Sequence, residues 1–201
     1  MLLSPITKDM PPPLILDSAT VERVTSFKLL CIHVSNDLKW AQHINAISSK
    51  AASRLYFLKQ LRCSGASHED LLCFYYTVLR SVLEYATPVW HSSLTCAQTE
   101  VLVLETLQRR AKKIINSDDR RSELPVSANC NTLRARRQVL TARFFTRNVL
   151  KSDSCLHYLL PEMRDHDITD KLRNAKTFEL LPARTERFRK SFIPHCIANY
   201  Q

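Results

Sequence analysis

The sequence predicts a mainly α-helical protein with a small N-terminal antiparallel β segment and an irregular C-terminal tail. From Trp40 onward, apolar residues recur every three or four positions, which is the period of helices that pack on a core. Before Trp40, short apolar runs alternate with turn residues, a pattern typical of strands. Gly65 is the single glycine in 201 residues. That scarcity disfavours folds rich in tight turns and excludes the glycine-rich loops that bind dinucleotides or nucleotide phosphates.

The β segment lies in the first forty residues. Residues 1–13 end in three consecutive prolines, which predict an extended lead-in. Strands are expected at Leu14–Leu16, Val21–Val24 and Phe27–Val34, with Asp17-Ser18 as a turn, so that they form a meander or a hairpin. The last of these strands is apolar on both faces and therefore needs packing partners on both sides.

Two helices are predicted to follow. The apolar stripe of the first consists of Ile44, Ile47, Ala51, Leu55, Leu58 and Leu61. This helix should end at Ser64-Gly65, where glycine suits a left-handed cap. Ser67 and Asp70 form a capping pattern at the start of the second helix. Its mostly apolar side chains are Leu71, Phe74, Tyr75, Val78, Leu79 and Val82. Pro88 should stop or kink this helix.

Two further helices complete the predicted architecture. Thr95 and Gln98 form another capping pattern, before a third helix that ends near Asn116. The apolar positions of that helix are Val101, Leu104, Leu107 or Gln108, Ala111 and Ile114. A fourth helix should cover residues 132–151, and prolines at 161, 182 and 194 limit the remaining chain to short elements. The predicted divisions are a β segment at 1–38, a helical domain at 39–116, a polar linker at 117–131 and a helical C-terminal extension at 132–201.

The charge of the chain indicates its class of partner. The formal net charge is +10, and residues 105–151 hold twelve Lys or Arg against four Asp or Glu. A solvated face explains a single basic cluster, but a local excess of this size favours a polyanion, above all nucleic acid. The seven cysteines form no CxxC pair, and we find no secretory signal or membrane-length apolar run. We therefore expect reduced thiols, a nuclear or cytoplasmic location and no membrane association.

Seven basic residues are the predicted contacts to nucleic-acid phosphates. Four close the third helix in the string "QRRAKKI", where cations also complement the helix dipole. The other three follow one face of the fourth helix, at spacings that continue to Lys151. The alternative interpretation of this row is an ordinary solvated face. Such rows add affinity without reading sequence. The predicted contacts are Arg109, Arg110, Lys112, Lys113, Arg136, Arg143 and Arg147.

Other candidate sites have simpler explanations. Asp118-Asp119 could hold metal ions, but it lies in a polar linker beside two arginines, which favours a loop salt bridge. Cys155 with His157, and His195 with Cys196, lack the spacing of a structural zinc site. Aromatic residues that could stack on bases lie on or beside apolar stripes, which favours core packing. They are Trp40, Tyr56, Phe57, Tyr75, Tyr76, Tyr85 and Trp90. We therefore predict no catalytic residue, metal or cofactor.

Long collinear strings carry a resemblance to a known family. They are "SFKLLCIHVSNDLKW", "FYYTVLRSVLEYATPVWHSSL", "ETLQRRAKKII" and the closing "RTERFRKSFIPHCIANYQ". In this order they resemble the C-terminal third of a LINE-type non-LTR retrotransposon reverse transcriptase, across nearly all of the chain. The resemblance implies that the opening strand belongs to the last palm strands and that helices one to three form a thumb-like bundle, which grips template and primer. The surface facing the palm would then be exposed here and open to a protein partner.

The departures from this family define the expected function. Cys31 stands where the family usually has glycine, and the segment from Asn116 to Leu133 is shortened. The fingers, the palm with its paired catalytic aspartates and the upstream endonuclease have no counterpart. The resemblance thus implies a truncated remnant that binds RNA or an RNA–DNA hybrid without sequence specificity and does not polymerise. The alternatives are a helical protein-interaction module or an AlkB-homologue N-terminal domain, since residues 27–115 also resemble that domain. His166 directly precedes Asp167 and so lacks the spacing of the iron-binding HxD…H triad of the dioxygenase.

Overall fold

The computed structural model is mainly helical with small antiparallel β-ribbons near its N-terminus, which confirms the predicted fold class. It describes residues 12–94, 99–116, 132–164 and 176–201. The predicted linker at 117–131, the capping pattern of Thr95 and Gln98 and the Asp118-Asp119 pair fall outside these ranges or depend on residues outside them. Among the described residues, two hydrophobic clusters form the core.

The N-terminal strands form two separate hairpins. Strand β1 (Ile15–Leu16) pairs with β2 (Ala19–Thr20), and β3 (Ser26–Leu29) pairs with β4 (Ile32–Ser35). The Asp17-Ser18 turn is confirmed, with φ angles of 47° and 66°. The prediction of a strand at Val21–Val24 is wrong, because these residues are irregular. The three-stranded meander is therefore replaced by two ribbons.

The prediction of one continuous strand over Phe27–Val34 is also wrong. Leu30 and Cys31 adopt left-handed φ angles of 46° and 65° and reverse the chain into the β3–β4 hairpin. Phe27 and Leu29 are each 55% exposed, so the apolar alternation does not signal burial on both faces. β4 packs against the first helix, and the Tyr85 hydroxyl donates a hydrogen bond to the Leu30 carbonyl at 2.9 Å. The hairpin is thus held to the helical body from two sides.

Helix α1 (Ala41–Cys63) follows the predicted stripe closely. Ile44, Ile47, Ala51, Leu55 and Leu58 are buried, while Leu61 at the end of the stripe is 37% exposed. The helix ends in a Schellman motif. The Ala66 amide donates to the Leu61 carbonyl and the Gly65 amide donates to the Arg62 carbonyl. Gly65 has a φ of 84°, which confirms its predicted role.

Replacing Gly65 with alanine should destabilise the protein by about 1 kcal/mol. A Cβ at this position would meet no atom within 4 Å, so the cost comes from the left-handed backbone alone. Chemical denaturation measures the change in the free energy of unfolding. Gly65→Asn is the matched variant and should lose less, because asparagine tolerates this conformation better than alanine. Equal losses for the two variants would contradict this explanation.

The second predicted helix is observed as three consecutive segments. Helix α2 (His68–Phe74) passes through a π-helical stretch (Tyr75–Arg80) into α3 (Ser81–Glu84). The predicted cap is confirmed, because the Asp70 amide donates to the Ser67 hydroxyl oxygen at 3.2 Å. The helix ends before Pro88, which lies in the first turn of α4 (Thr87–Trp90), where its missing N–H costs little.

The remaining helices join the two clusters of the core. Helix α5 (Thr99–Ile115) packs on α1, and α6 (Leu133–Phe144) continues as a π-helical stretch (Phe145–Val149). A 3₁₀ turn (His157–Leu159) and two short helices follow, α7 (Glu186–Arg189) and α8 (Phe192–Asn199). The larger cluster extends from α1 to Leu133. The smaller cluster joins the end of α6 to Phe178 and α8, so α6 contributes to both.

Side chains of α5 satisfy backbone amides at the start of α6, and a side chain of α1 satisfies a carbonyl at the end of α5. The Leu133 amide donates to the Gln108 side-chain oxygen at 3.2 Å, and the Arg134 amide donates to Glu105 at 2.9 Å. These acceptors supplement the Thr132 hydroxyl, which caps the third amide of α6. At the other end of α5, the Arg62 guanidinium donates to the Ile115 carbonyl at 3.1 Å. Side chains from neighbouring helices thus satisfy groups that each helix leaves unpaired.

Candidate nucleic-acid interface

The α5 cation cluster, which comprises Arg109, Arg110, Lys112 and Lys113, lies mostly in solvent. Buried positions on this helix include Leu104, Gln108 and Ala111, so the cluster projects from the opposite side. Arg109, Arg110 and Lys113 are exposed, whereas Lys112 is half-buried and occupies the last turn with Lys113. The Arg109 guanidinium donates to the Thr106 hydroxyl at 3.1 Å. Three of the four predicted cations can therefore reach an external anion.

The α6 arginine row, which comprises Arg136, Arg143 and Arg147, is only partly open. Arg143 and Arg147 are exposed. Arg136 is half-buried, and its Nε lies 3.5 Å from a Glu84 carboxylate oxygen. Glu84 also accepts a hydrogen bond from Arg80 at 2.6 Å. Because Arg136 already faces a carboxylate, we assign it to this local ion-pair network rather than to a free phosphate-binding surface. Lys151 is exposed beyond the end of the row.

A groove joins the α6 arginine row to the start of α4. It has a volume of about 450 Å³ and is lined by Glu84, Thr87, Pro88, Arg143 and Arg147, among others. Two exposed guanidinium groups therefore border a concave surface. The carboxylate in the groove is offset by Arg80 and Arg136. This α6 groove presents two guanidinium groups that suit charge-assisted hydrogen bonds to an anion.

Arg137 is the basic residue whose position the sequence did not reveal. It is fully buried, its guanidinium lies 5.7 Å from the Trp90 ring centroid, and one of its terminal nitrogens lies 4.0 Å from a Glu105 oxygen. None of its guanidinium nitrogens has a hydrogen-bond acceptor among the described residues. The burial lowers the pKa of Arg137, while Glu105 and Glu84 oppose that shift. The spacing Leu133, Arg137, Thr141 was the available signal, since every fourth residue of α6 is buried.

The predicted core role of the aromatic residues is correct only for some of them. Trp90 and Tyr75 are buried. Trp40 is half-buried and packs against the larger cluster. The other four lie substantially in solvent, because they occupy helix positions adjacent to the apolar stripes or the end of a helix. Their exposed fractions are 60% for Tyr56, 56% for Phe57, 42% for Tyr76 and 47% for Tyr85. Tyr56 and Phe57 form an exposed edge-to-face pair with ring centroids 5.8 Å apart.

The cysteine and histidine pairs have individual environments. The His157 ring nitrogen Nδ1 lies 3.2 Å from the Val149 carbonyl oxygen. Cys196 is buried in the smaller cluster, and this burial raises its pKa to about 12. Over the described ranges, no three His, Cys, Asp or Glu side chains are grouped as metal ligands would be. In the same ranges, no helix combines the length and apolar character that a membrane crossing requires.

The functional proposal depends on the physical features of the chain, because comparisons with known proteins found no match. No protein-family model, curated protein or solved structure matches this chain.

Proposed function

We propose that this chain binds the phosphate backbone of RNA or an RNA–DNA hybrid without reading its sequence, as a remnant of a LINE-type reverse transcriptase. The observation that supports the proposal most directly is the exposure of Arg109, Arg110 and Lys113 on one helix and of Arg143 and Arg147 on another. Burial of these side chains would have removed the electrostatic basis of binding. The net charge of +10 adds long-range attraction for a polyanion.

Salt dependence tests this proposal. Binding of a labelled RNA–DNA hybrid to the full chain should weaken linearly on a log–log plot of affinity against salt, with a slope of several units. Each neutralised phosphate contributes about 0.9 to that slope, so reversing Arg143 and Arg147 to glutamate should reduce it by about 2. Reversing Arg109, Arg110 and Lys113 should reduce it by about 3 if all three contact phosphate.

The matched control reverses two lysines on another helix. Lys50 and Lys59 are exposed on α1 and lie outside both cation groups. Their double reversal changes the net charge as much as the Arg143 and Arg147 reversal does, and it should leave the slope nearly unchanged. If the two double variants changed the slope equally, net charge alone would explain the binding. Equal affinity at low and high salt would contradict backbone binding altogether.

A second candidate function is a helical protein-interaction module. An apolar groove of about 600 Å³ lies between α1 and the second helix and is lined by Phe57, Leu61, Phe74 and Val78, among others. Exposed apolar residues of the β3–β4 hairpin offer a further contact surface. Size-exclusion chromatography with and without nuclease distinguishes the two functions. A larger species that persists after nuclease digestion favours a protein partner, and one that disappears favours nucleic acid.

A further inference from the structure

A third basic site lies far along the chain from the two predicted cation groups. A cleft of about 360 Å³ is enclosed by the loop before α1, the region after α4 and the segment from α7 into α8. Trp40, Leu94 and Phe192 provide apolar walls, and the basic residues at the cleft are Lys39, Arg187 and Lys190. This volume and this mixture of apolar walls with a few charged groups are typical of small-ligand sites. We call it the Trp40 cleft.

The charge balance of the Trp40 cleft favours an anion. Among the described residues that line it, Glu186 is the one carboxylate. That carboxylate accepts a hydrogen bond from Arg189 and lies 3.6 Å from the Lys190 ammonium, so its charge is already compensated. The Arg187 side chain forms no ion pair with any residue that the structure describes. A guanidinium at a partly apolar cleft is suited to bidentate recognition of a phosphate.

The first turn of α8 adds hydrogen-bond donors at the same place. Ser191 has the extended conformation of an N-cap, but its side chain caps no amide of α8 and instead donates to the Phe188 carbonyl at 2.7 Å. Pro194 has no N–H, so the Phe192 and Ile193 amides are the donors at the start of this eight-residue helix that Ser191 leaves without a side-chain acceptor. Both Ser191 and Phe192 line the cleft. The helix dipole and these amides favour negative charge beside Arg187 and Lys190.

The cleft also provides an aromatic surface. Trp40 is half-buried and forms an edge-to-face contact with His43 at 6.1 Å between ring centroids, which restrains the indole. A restrained indole offers a stacking surface to a planar ring at little conformational cost. Inorganic phosphate would use only the basic side of this cleft. A phosphate joined to a planar ring would use both sides.

We propose that the Trp40 cleft binds a phosphate monoester that carries a planar ring, of which a nucleoside monophosphate is the simplest example. Arg187 contacts the phosphate with Lys190 beside it, and Trp40 packs against the ring. Lys39 lies 3.4 Å from an Asp37 carboxylate oxygen, which compensates its charge, so it is assigned no contact to the ligand. This proposal does not depend on binding at the α5 cation cluster or at the α6 groove. It assigns a small-ligand site to residues outside both.

Calorimetry on the full chain tests the ligand class with four compounds. Adenosine 5′-monophosphate should bind, and adenosine should not, because the phosphate supplies the charge-assisted contacts. Glycerol 3-phosphate and inorganic phosphate should bind about tenfold more weakly than the nucleotide, since neither provides a planar ring. Equal binding of adenosine and its monophosphate would overturn the phosphate assignment. Equal binding of glycerol 3-phosphate and the nucleotide would overturn the stacking assignment, and absence of nucleotide binding would overturn both.

Two neutralising variants, one in the cleft and one outside it, test whether the ligand binds in this cleft. Arg187→Gln should weaken nucleotide binding by about tenfold, as expected for the loss of one charged contact. Arg184→Gln is the matched control, because Arg184 is exposed in the same segment but does not line the cleft. Equal weakening by the two variants would overturn the assignment. The Arg143 and Arg147 reversal should leave nucleotide binding intact, which separates this test from that of the α6 groove.

Discussion

Replacement of Glu105 with alanine should destabilise the folded protein by about 3 kcal/mol, because it leaves a buried cation without its carboxylate. Arg137 is fully buried, and its ion pair to Glu105, with 4.0 Å between nitrogen and oxygen, is the closest anionic contact described for it. The same carboxylate accepts the Arg134 amide at the start of α6. The substitution thus removes a helix cap together with a counter-charge.

A double variant separates these two losses. Arg137→Met removes the buried charge while keeping an unbranched side chain of similar reach, and exchanges of this kind for buried ion pairs are often neutral or stabilising. Urea denaturation should therefore show that the Glu105→Ala, Arg137→Met double variant is more stable than Glu105→Ala alone. Glu179→Ala, an exposed control, should change stability by less than about 0.5 kcal/mol. If the double variant were no more stable than Glu105→Ala, the buried cation would not be the cause.

Acidification should destabilise the protein between about pH 6.5 and pH 4, by on the order of 3 kcal/mol from His43 alone. Burial lowers the pKa of His43 from 6.5 to about 4, and the neighbouring His33 lowers it further. The ring is fully buried between Trp40 and Trp90, and its Nε2 has no hydrogen-bond partner among the described residues. Protonation would therefore place an unpaired charge in the core.

The sign of this effect follows from proton binding. Within that pH range the unfolded chain takes up a proton at His43 and the folded chain does not, so stability is complete above pH 6.5 and falls as pH decreases. Burial also lowers the pKa of His91 to about 4, and repulsion from Arg137, His195 and Arg134 acts in the same direction. His91 should therefore add a second contribution of the same sign.

The His43 contribution can be isolated by substitution. His43→Phe keeps an aromatic ring that does not titrate, so its free energy of unfolding should depend less steeply on pH between 6.5 and 4.5. His68→Gln is the control, since His68 is exposed at the start of α2, and it should retain the wild-type dependence. Denaturant titrations at several pH values measure the slopes. Identical slopes for His43→Phe and wild type would argue against a neutral, buried His43.

Much of the helical architecture was predictable because its signals are local. The stripe of α1, the left-handed cap at Gly65 and the capping pair of Ser67 and Asp70 each depend on residues within one or two turns of the helix. The N-terminal strands were harder to predict. A continuous apolar alternation can describe one strand or two strands joined by a two-residue turn, and Leu30-Cys31 lacks the Asn-Gly chemistry that marks such turns.

The sequence could not show which of the seven predicted phosphate contacts are exposed and which are ion-paired within the fold. A residue type and its spacing indicate which basic residues share a helix face, but they do not show what that face meets. Arg136 meets Glu84 from another helix, while Arg143 and Arg147 remain exposed. The Trp40 cleft was not predictable by this reasoning, because its lining joins residues 38–40 to residues 186–192.

By itself, the sequence determined the helical class, the positions of the longer helices, the caps at Gly65 and Ser67 and the large positive charge. These properties depend on the periodicity of neighbouring residues and on composition, which no tertiary contact alters. Only the tertiary structure decided that Arg137 is buried while Arg143 is exposed, and that Trp40 shares a cleft with Arg187. The physical reason is that desolvation and ion pairing depend on which surfaces meet, and residues far apart in the chain supply the opposing surface.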